Sequence, residues 1–193
     1  MLLGSYDLLA DDPSGFFRLA VLIAFALVTA VTIHEFSHAL VATSLGDNTA
    51  RRMGRLSLNP MRHLDPSGTV MMLVAGFGWG KPVPVDPLQL SRGHTDTALV
   101  AVAGPISNLA FAFLLAIPFK TGLLVPASLS LDRVAHVMTG GLSDGAADVL
   151  ALVIFFNLLL GVFNLIPLAP LDGSRVLAGL VPAEHGAAYA RLQ

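Results

Sequence analysis

Cysteine is absent from this chain, which excludes disulfides, thiol nucleophiles and thiolate-ligated zinc, so any metal must be held by histidine and carboxylate. Charge is scarce as well. Only 12% of the 193 residues are Asp, Glu, Lys or Arg, against about 25% in an ordinary soluble domain. A soluble fold of this size needs more charge to cover its surface, whereas a chain dissolved in lipid can turn apolar side chains outward. No basic run or interleaving of basic and aromatic residues is present, and nucleic acid is not an expected partner. The N-terminus carries Asp7, Asp11 and Asp12 instead of a basic stretch, so the first apolar segment is expected to be retained and not cleaved as a signal peptide.

What the chain does have is apolar length. Hydrophobic residues make up 54% of it and mean hydropathy is +0.73. Residues 19–46 contain no ionisable group except His34, Glu35 and His38, and residues 97–119 and 149–171 contain none. Crossing the hydrocarbon takes about 20 helical residues. The expected fold is therefore an all-α polytopic membrane protein, one membrane-embedded domain over residues 1–193, with three transmembrane helices at about 16–46, 97–119 and 148–171. An insert over residues 47–95 separates the first two. Within it residues 66–80 are apolar but short, opened by Pro66-Ser67-Gly68 and closed by Gly76, Gly78 and Gly80, which predicts a re-entrant segment; a short tilted span is the alternative.

The rest of the insert reads as small extended or β pieces. Arg55-Leu56-Ser57-Leu58 alternates as a strand does, and Lys81-Pro82-Val83-Pro84-Val85 is extended because each proline disfavours helix before it. That second piece is a candidate edge for strand addition with few donors, or an ordinary turn. Residues 120–148 predict a loop of mixed polarity, with room for a short helix. Arg51, Arg52, Arg55, Arg62, Lys81 and Arg92 all fall in the insert, and the positive-inside rule then puts it in the cytoplasm. A multi-pass protein of a bacterial or archaeal plasma membrane, with its working face toward the cytoplasm, is the expected setting.

His34-Glu35-Phe36-Ser37-His38 is an HExxH sequence. Helical positions four apart share a face, so both imidazoles can reach one ion, and the intervening glutamate sits where a general base for water is needed. Three ionisable groups in an apolar helix would each cost a few kcal/mol unless paired or solvated, and a shared cation removes that objection. Satisfaction by neighbouring helices is the alternative. A catalytic zinc usually takes a third protein ligand. Asp172 stands out among the candidates because it ends the run Asn164-Leu165-Ile166-Pro167-Leu168-Ala169-Pro170-Leu171-Asp172-Gly173, where two prolines break the helix and irregular backbone at that depth must line a cavity. A helix cap is the competing role for Asp172.

Taken together, His34 to His38, the AGPxxN stretch Ala103-Gly104-Pro105-Ile106-Ser107-Asn108 and the NxxPxxPLDG stretch from Asn164 to Gly173 make the chain resemble the site-2 protease family of intramembrane zinc metalloproteases. Residues 54–66 also resemble that family's insert, although only one span precedes it where many relatives have more. The resemblance implies one Zn²⁺ held by His34, His38 and Asp172, with Glu35 as catalytic base and a transmembrane protein as substrate. Small residues such as Gly104 imply close helix packing, and Asn108 is then a candidate for positioning substrate, or for packing alone. A membrane metal-binding or metal-transport protein is the functional alternative. It is disfavoured by the absence of internal repeats and by a glutamate that transport does not need.

Overall fold

The computed structural model describes residues 6–75, 79–125 and 142–180. A short helix α1 (Tyr6–Asp11) leads into the long helix α2 (Pro13–Ser44). Asp12 caps α2, its carboxylate accepting from Gly15 N–H at 3.0 Å, and Pro13 supplies the fixed φ that suits a first helical position. The insert carries α3 (Thr49–Arg52) and α4 (Pro66–Ala75). Then come α5 (His94–Leu115), the one-turn α6 (Ile117–Lys120), α7 (Leu142–Asn164) and α8 (Asp172–Leu180).

Among the described residues, three helical stretches are long and apolar enough to cross a membrane: Pro13–Ser44, His94–Lys120 and Gly145–Asn164. They answer the three expected spans, with shifted ends. The third stops at Asn164 and not near residue 171, because Pro167 and Pro170 cannot continue a helix and the chain closes instead through Leu165 N–H to Val162 O and Ile166 N–H to Phe163 O. It also begins earlier than expected, at Leu142. Most of the loop expected over residues 120–148 lies outside the described residues.

The spans α2, α5 and α7 pack pairwise, and α8 lies against α5. Where the bundle meets itself, α2 presents Leu19, Ile23, Ala26 and Ala30 to Leu152, Val153 and Phe156 of α7. Lipid tails are as apolar as leucine, so burial alone does not drive such contacts; small residues let backbones approach and dispersion does the rest. On the outside of α2, Phe17, Val21 and Phe25 recur every four residues and are more than half exposed, as suits a lipid-facing stripe. The inner stripe of α2 continues in the same register through His34, His38 and Ala42, all buried. One helical face thus begins as packing surface and ends as imidazole.

Among the described residues the insert forms no sheet. The strand expected at residues 55–58 is replaced by bends, because local polar groups claim the backbone first: the His63 ring meets Ser57 O at 2.6 Å, and Arg55 Nη1 donates to the carbonyl oxygens of Arg62 and Lys81. A single antiparallel bridge joins Leu64 to Gly80, and Lys81 N–H donates to His63 O at 2.7 Å. The two ends of the segment holding α4 therefore meet. Asp47, just past the left-handed Gly46 that ends α2 (φ 111°), ties the insert down by accepting from Thr49 N–H at 2.8 Å and Asp86 N–H at 2.7 Å. Burial pushes the Asp47 carboxyl up, but these hydrogen bonds and the nearby Arg52 charge outweigh it and hold it below the usual range.

Candidate metal centre

His34 and His38 stand one turn apart on the buried face of α2, their ring centroids 4.6 Å apart. Asp172 reaches them from the first residue of α8. After α7 unwinds, α8 packs its first turn so tightly under the end of α7 that a Cβ on Gly173 would lie 2.3 Å from Leu165 O and 2.4 Å from Ile166 O. Only glycine allows that approach, and it is what swings Asp172 inward. The carboxylate Oδ2 lies 2.9 Å from His34 Nε2 and 3.3 Å from His38 Nε2. Asp172 does open a helix, as the capping alternative requires, yet its carboxylate is turned to the histidines.

The other ring nitrogens are also engaged. His34 Nδ1 meets Asn108 Oδ1 at 2.7 Å, and His38 Nδ1 meets Val100 O at 2.7 Å, both partners on α5. Oxygen acceptors on Nδ1 put the ring hydrogen there, leaving each Nε2 with a lone pair aimed at a carboxylate. Lone pair against lone pair is repulsive unless a proton or a cation lies between. Ligand atoms bound at about 2.0–2.2 Å around a tetrahedral ion lie roughly 3.3–3.5 Å apart, so the observed separations need little adjustment to hold zinc. Two neutral imidazoles and one carboxylate also make a donor set that zinc accepts.

Glu35 projects beside this cluster, and Val83 N–H donates to its Oε2 at 3.1 Å. Between Pro82 and Pro84, Val83 has the one backbone donor, and Lys81 N–H is already given to His63 O, so the extended piece has little left to offer an added strand. His34, Glu35, His38 and Asp172 all line one cavity of about 400 Å³, walled by Trp79 to Val85 on one side and by Asn164, Pro170 and Arg175 on another. Gly104 of α5 packs directly against the imidazoles. A Cβ there would lie 2.4 Å from His38 Nε2 and 2.7 Å from His34 Cε1, so this glycine of the middle motif packs not merely against a helix but against both histidines.

Asn108 is fully buried, and its amide is spent inside the bundle: the oxygen on His34 Nδ1, the nitrogen on Ala30 O at 3.0 Å and on Asn157 Oδ1 at 2.8 Å. Asn108 is not among the residues that line the cavity. Sequence reasoning passed over Asn157, Val83 and Val100. An amide well inside the charge-free window 149–171 is a usable signal for Asn157, whereas Val83 and Val100 contribute backbone groups, which leave no trace in residue type. His63 and Asp65, an imidazole and a carboxylate of the insert, are engaged elsewhere: His63 Nε2 meets Ser57 O, and Asp65 accepts from Ser67 and Gly68.

Residues 22–191 match peptidase family M50. Among curated proteins the chain is similar to "Putative zinc metalloprotease YwhC" of Bacillus subtilis, 44% identical over 156 residues, covering 81% of this chain and 67% of that protein. It is also 30% identical over 172 residues to "Putative zinc metalloprotease Rip2" of Mycobacterium tuberculosis, covering 86% of this chain and 60% of that protein. No solved structure matches the chain. Because the matched region takes in both histidines on α2 and the aspartate that opens α8, the chain belongs to peptidase family M50, the site-2 protease family of intramembrane zinc metalloproteases.

Proposed function

We propose that this chain hydrolyses peptide bonds of membrane-anchored proteins, with His34, His38 and Asp172 as zinc ligands and Glu35 as the catalytic base. The observation that carries this reading is the convergence of three ligand atoms, all within 4.8 Å of one another, in a cavity that also holds a glutamate. When bound, Zn²⁺ supplies a Lewis acid that polarises the scissile carbonyl and acidifies water. Glu35 takes a proton from the attacking water and returns it to the leaving amine. Its Oε2 is held by Val83 N–H, which leaves Oε1 for proton transfer. Asn108 and Val100 O orient the two imidazoles from behind. A helical substrate must unwind locally, since its carbonyls are otherwise occupied by backbone hydrogen bonds. The test is zinc content of the detergent-purified protein beside cleavage of a model transmembrane peptide. Metal without cleavage would favour the transport alternative, and neither would remove the proposal.

Gly104 gives a sharper check on the ligand set. Gly104→Ala forces either the imidazoles or α5 to move, so zinc affinity should drop at least about tenfold, the scale on which ligand orientation matters. Wild-type affinity in that variant, measured by chelator competition, would mean that the histidines are not held against α5 as described.

We infer further that the insert is cytoplasmic and that the segment containing α4 is re-entrant. Support comes from the arginine and lysine content of the insert, from the Leu64 to Gly80 bridge, and from the length of α4, whose 10 residues span about 15 Å, half of the hydrocarbon. Single cysteines placed by Arg62→Cys and Lys81→Cys, both exposed positions in a chain with no cysteine of its own, should react with an impermeant reagent from the cytoplasmic side. Labelling from opposite faces would make the segment a true span.

A further inference from the structure

One fully buried amide has no part in the chemistry above. Asn157 lies in the middle of α7, where its Nδ2 donates to Val153 O at 2.8 Å and its Oδ1 accepts from Asn108 Nδ2 at 2.8 Å. Asn108 gives its other N–H to Ala30 O at 3.0 Å and turns its oxygen to His34 Nδ1 at 2.7 Å. The direction of every bond follows from the two ends. Backbone carbonyl oxygens can only accept, so Val153 O and Ala30 O require the amide nitrogens to face them. Asn157 then presents oxygen to Asn108, and Asn108 presents oxygen to His34. Since that oxygen cannot donate, His34 Nδ1 must carry the hydrogen, and Nε2 keeps its lone pair.

We propose that Asn157 is a positioning residue for the metal centre: acting through Asn108, it holds His34 in the tautomer whose Nε2 is free to bind the ion. The inference rests on His34 being a ligand, as proposed above. Its physical content is that a rotated Asn108 amide would point oxygen at two oxygens at once, Ala30 O and Asn157 Oδ1. Taking away Asn157 removes one of those two oppositions. A rotated Asn108 would offer N–H to His34 Nδ1 and select the tautomer with hydrogen on Nε2, which cannot ligate. A purely mechanical role, an interhelical hydrogen bond that glues α5 to α7, would alter stability and leave the metal alone.

The experiment compares wild type, Asn157→Leu and Asn157→Asp in detergent. The quantities read are zinc affinity by chelator competition, the visible absorption spectrum of the Co²⁺-substituted protein, and thermal unfolding. Leucine should weaken zinc binding about 10–100-fold, the usual effect of losing an outer hydrogen-bond partner, and should shift the Co²⁺ spectrum. Aspartate has the same size and, as the neutral acid that burial favours, can donate to Val153 O while its other oxygen accepts from Asn108, so both properties should return toward wild type. Wild-type zinc affinity and Co²⁺ spectrum in Asn157→Leu, even with a lower unfolding temperature, would overturn the relay and leave the metal-site reading standing. No zinc on the wild-type protein would overturn both. Should Asn157→Leu fail to fold, ¹⁵N NMR of the zinc-loaded wild type decides: His34 should carry hydrogen on Nδ1 and metal on Nε2, and the reverse assignment ends the proposal.

Discussion

Replacing Glu35 by glutamine should lower peptide cleavage by about 10²–10⁴-fold, the range that general acid–base catalysis contributes, while zinc stays at wild-type stoichiometry. Glutamine keeps the shape of the side chain, and its amide oxygen can still accept from Val83 N–H, so the extended piece should remain docked over the cavity. What it loses is the capacity to take a proton. Metal analysis of the purified variant beside mass-spectrometric assay of a model transmembrane peptide measures both quantities on one sample. Turnover at the wild-type rate would remove Glu35 from the mechanism. Loss of metal together with activity would instead make Glu35 a structural support of the histidine pair.

Asp172 should behave in the opposite way. Asp172→Asn preserves volume but substitutes a neutral oxygen for an anionic one, and zinc affinity should fall by more than about 100-fold, beyond what outer-shell changes produce. Asp172→Ala should fall further, since no donor remains. The fold should survive both changes, because the close approach of α8 to the turn Leu165-Ile166 that follows α7 is made by Gly173 and not by the carboxylate. Circular dichroism and thermal unfolding would establish that separation. Zinc bound at wild-type affinity in Asp172→Ala would leave the two histidines needing another partner. His63 and Asp65 are poorly placed for it, each being committed to hydrogen bonds within the insert.

How much of this was legible beforehand differs from one element to the next. The spans were legible because hydropathy is a property of composition over about 20 residues and the bilayer sets the length. The histidine pair was legible because a helix brings positions four apart together whatever surrounds it. The insert was not. Alternation in Arg55-Leu56-Ser57-Leu58 suggested a strand, but a strand needs a neighbour, and the carbonyls that could have paired were taken by the Arg55 and His63 side chains. Asn108 stands out in sequence as a polar residue in a motif, and residue type alone does not say which way its amide points.

Lipid as the solvent, the long apolar helices, and the two imidazoles with their glutamate all follow from composition or from spacing within a single helix. The remaining features come from how the helices pack against one another. That Asp172 is a partner of His34 and not merely the first residue of a helix depends on Gly173 fitting beneath the carbonyls of Leu165 and Ile166. That Gly104 lies under both rings, and that Asn157 reaches His34 through Asn108, depends on how α2, α5 and α7 meet. Contacts between helices are set by the shapes and hydrogen-bond directions of side chains far apart in the chain, and no periodicity within one helix encodes them.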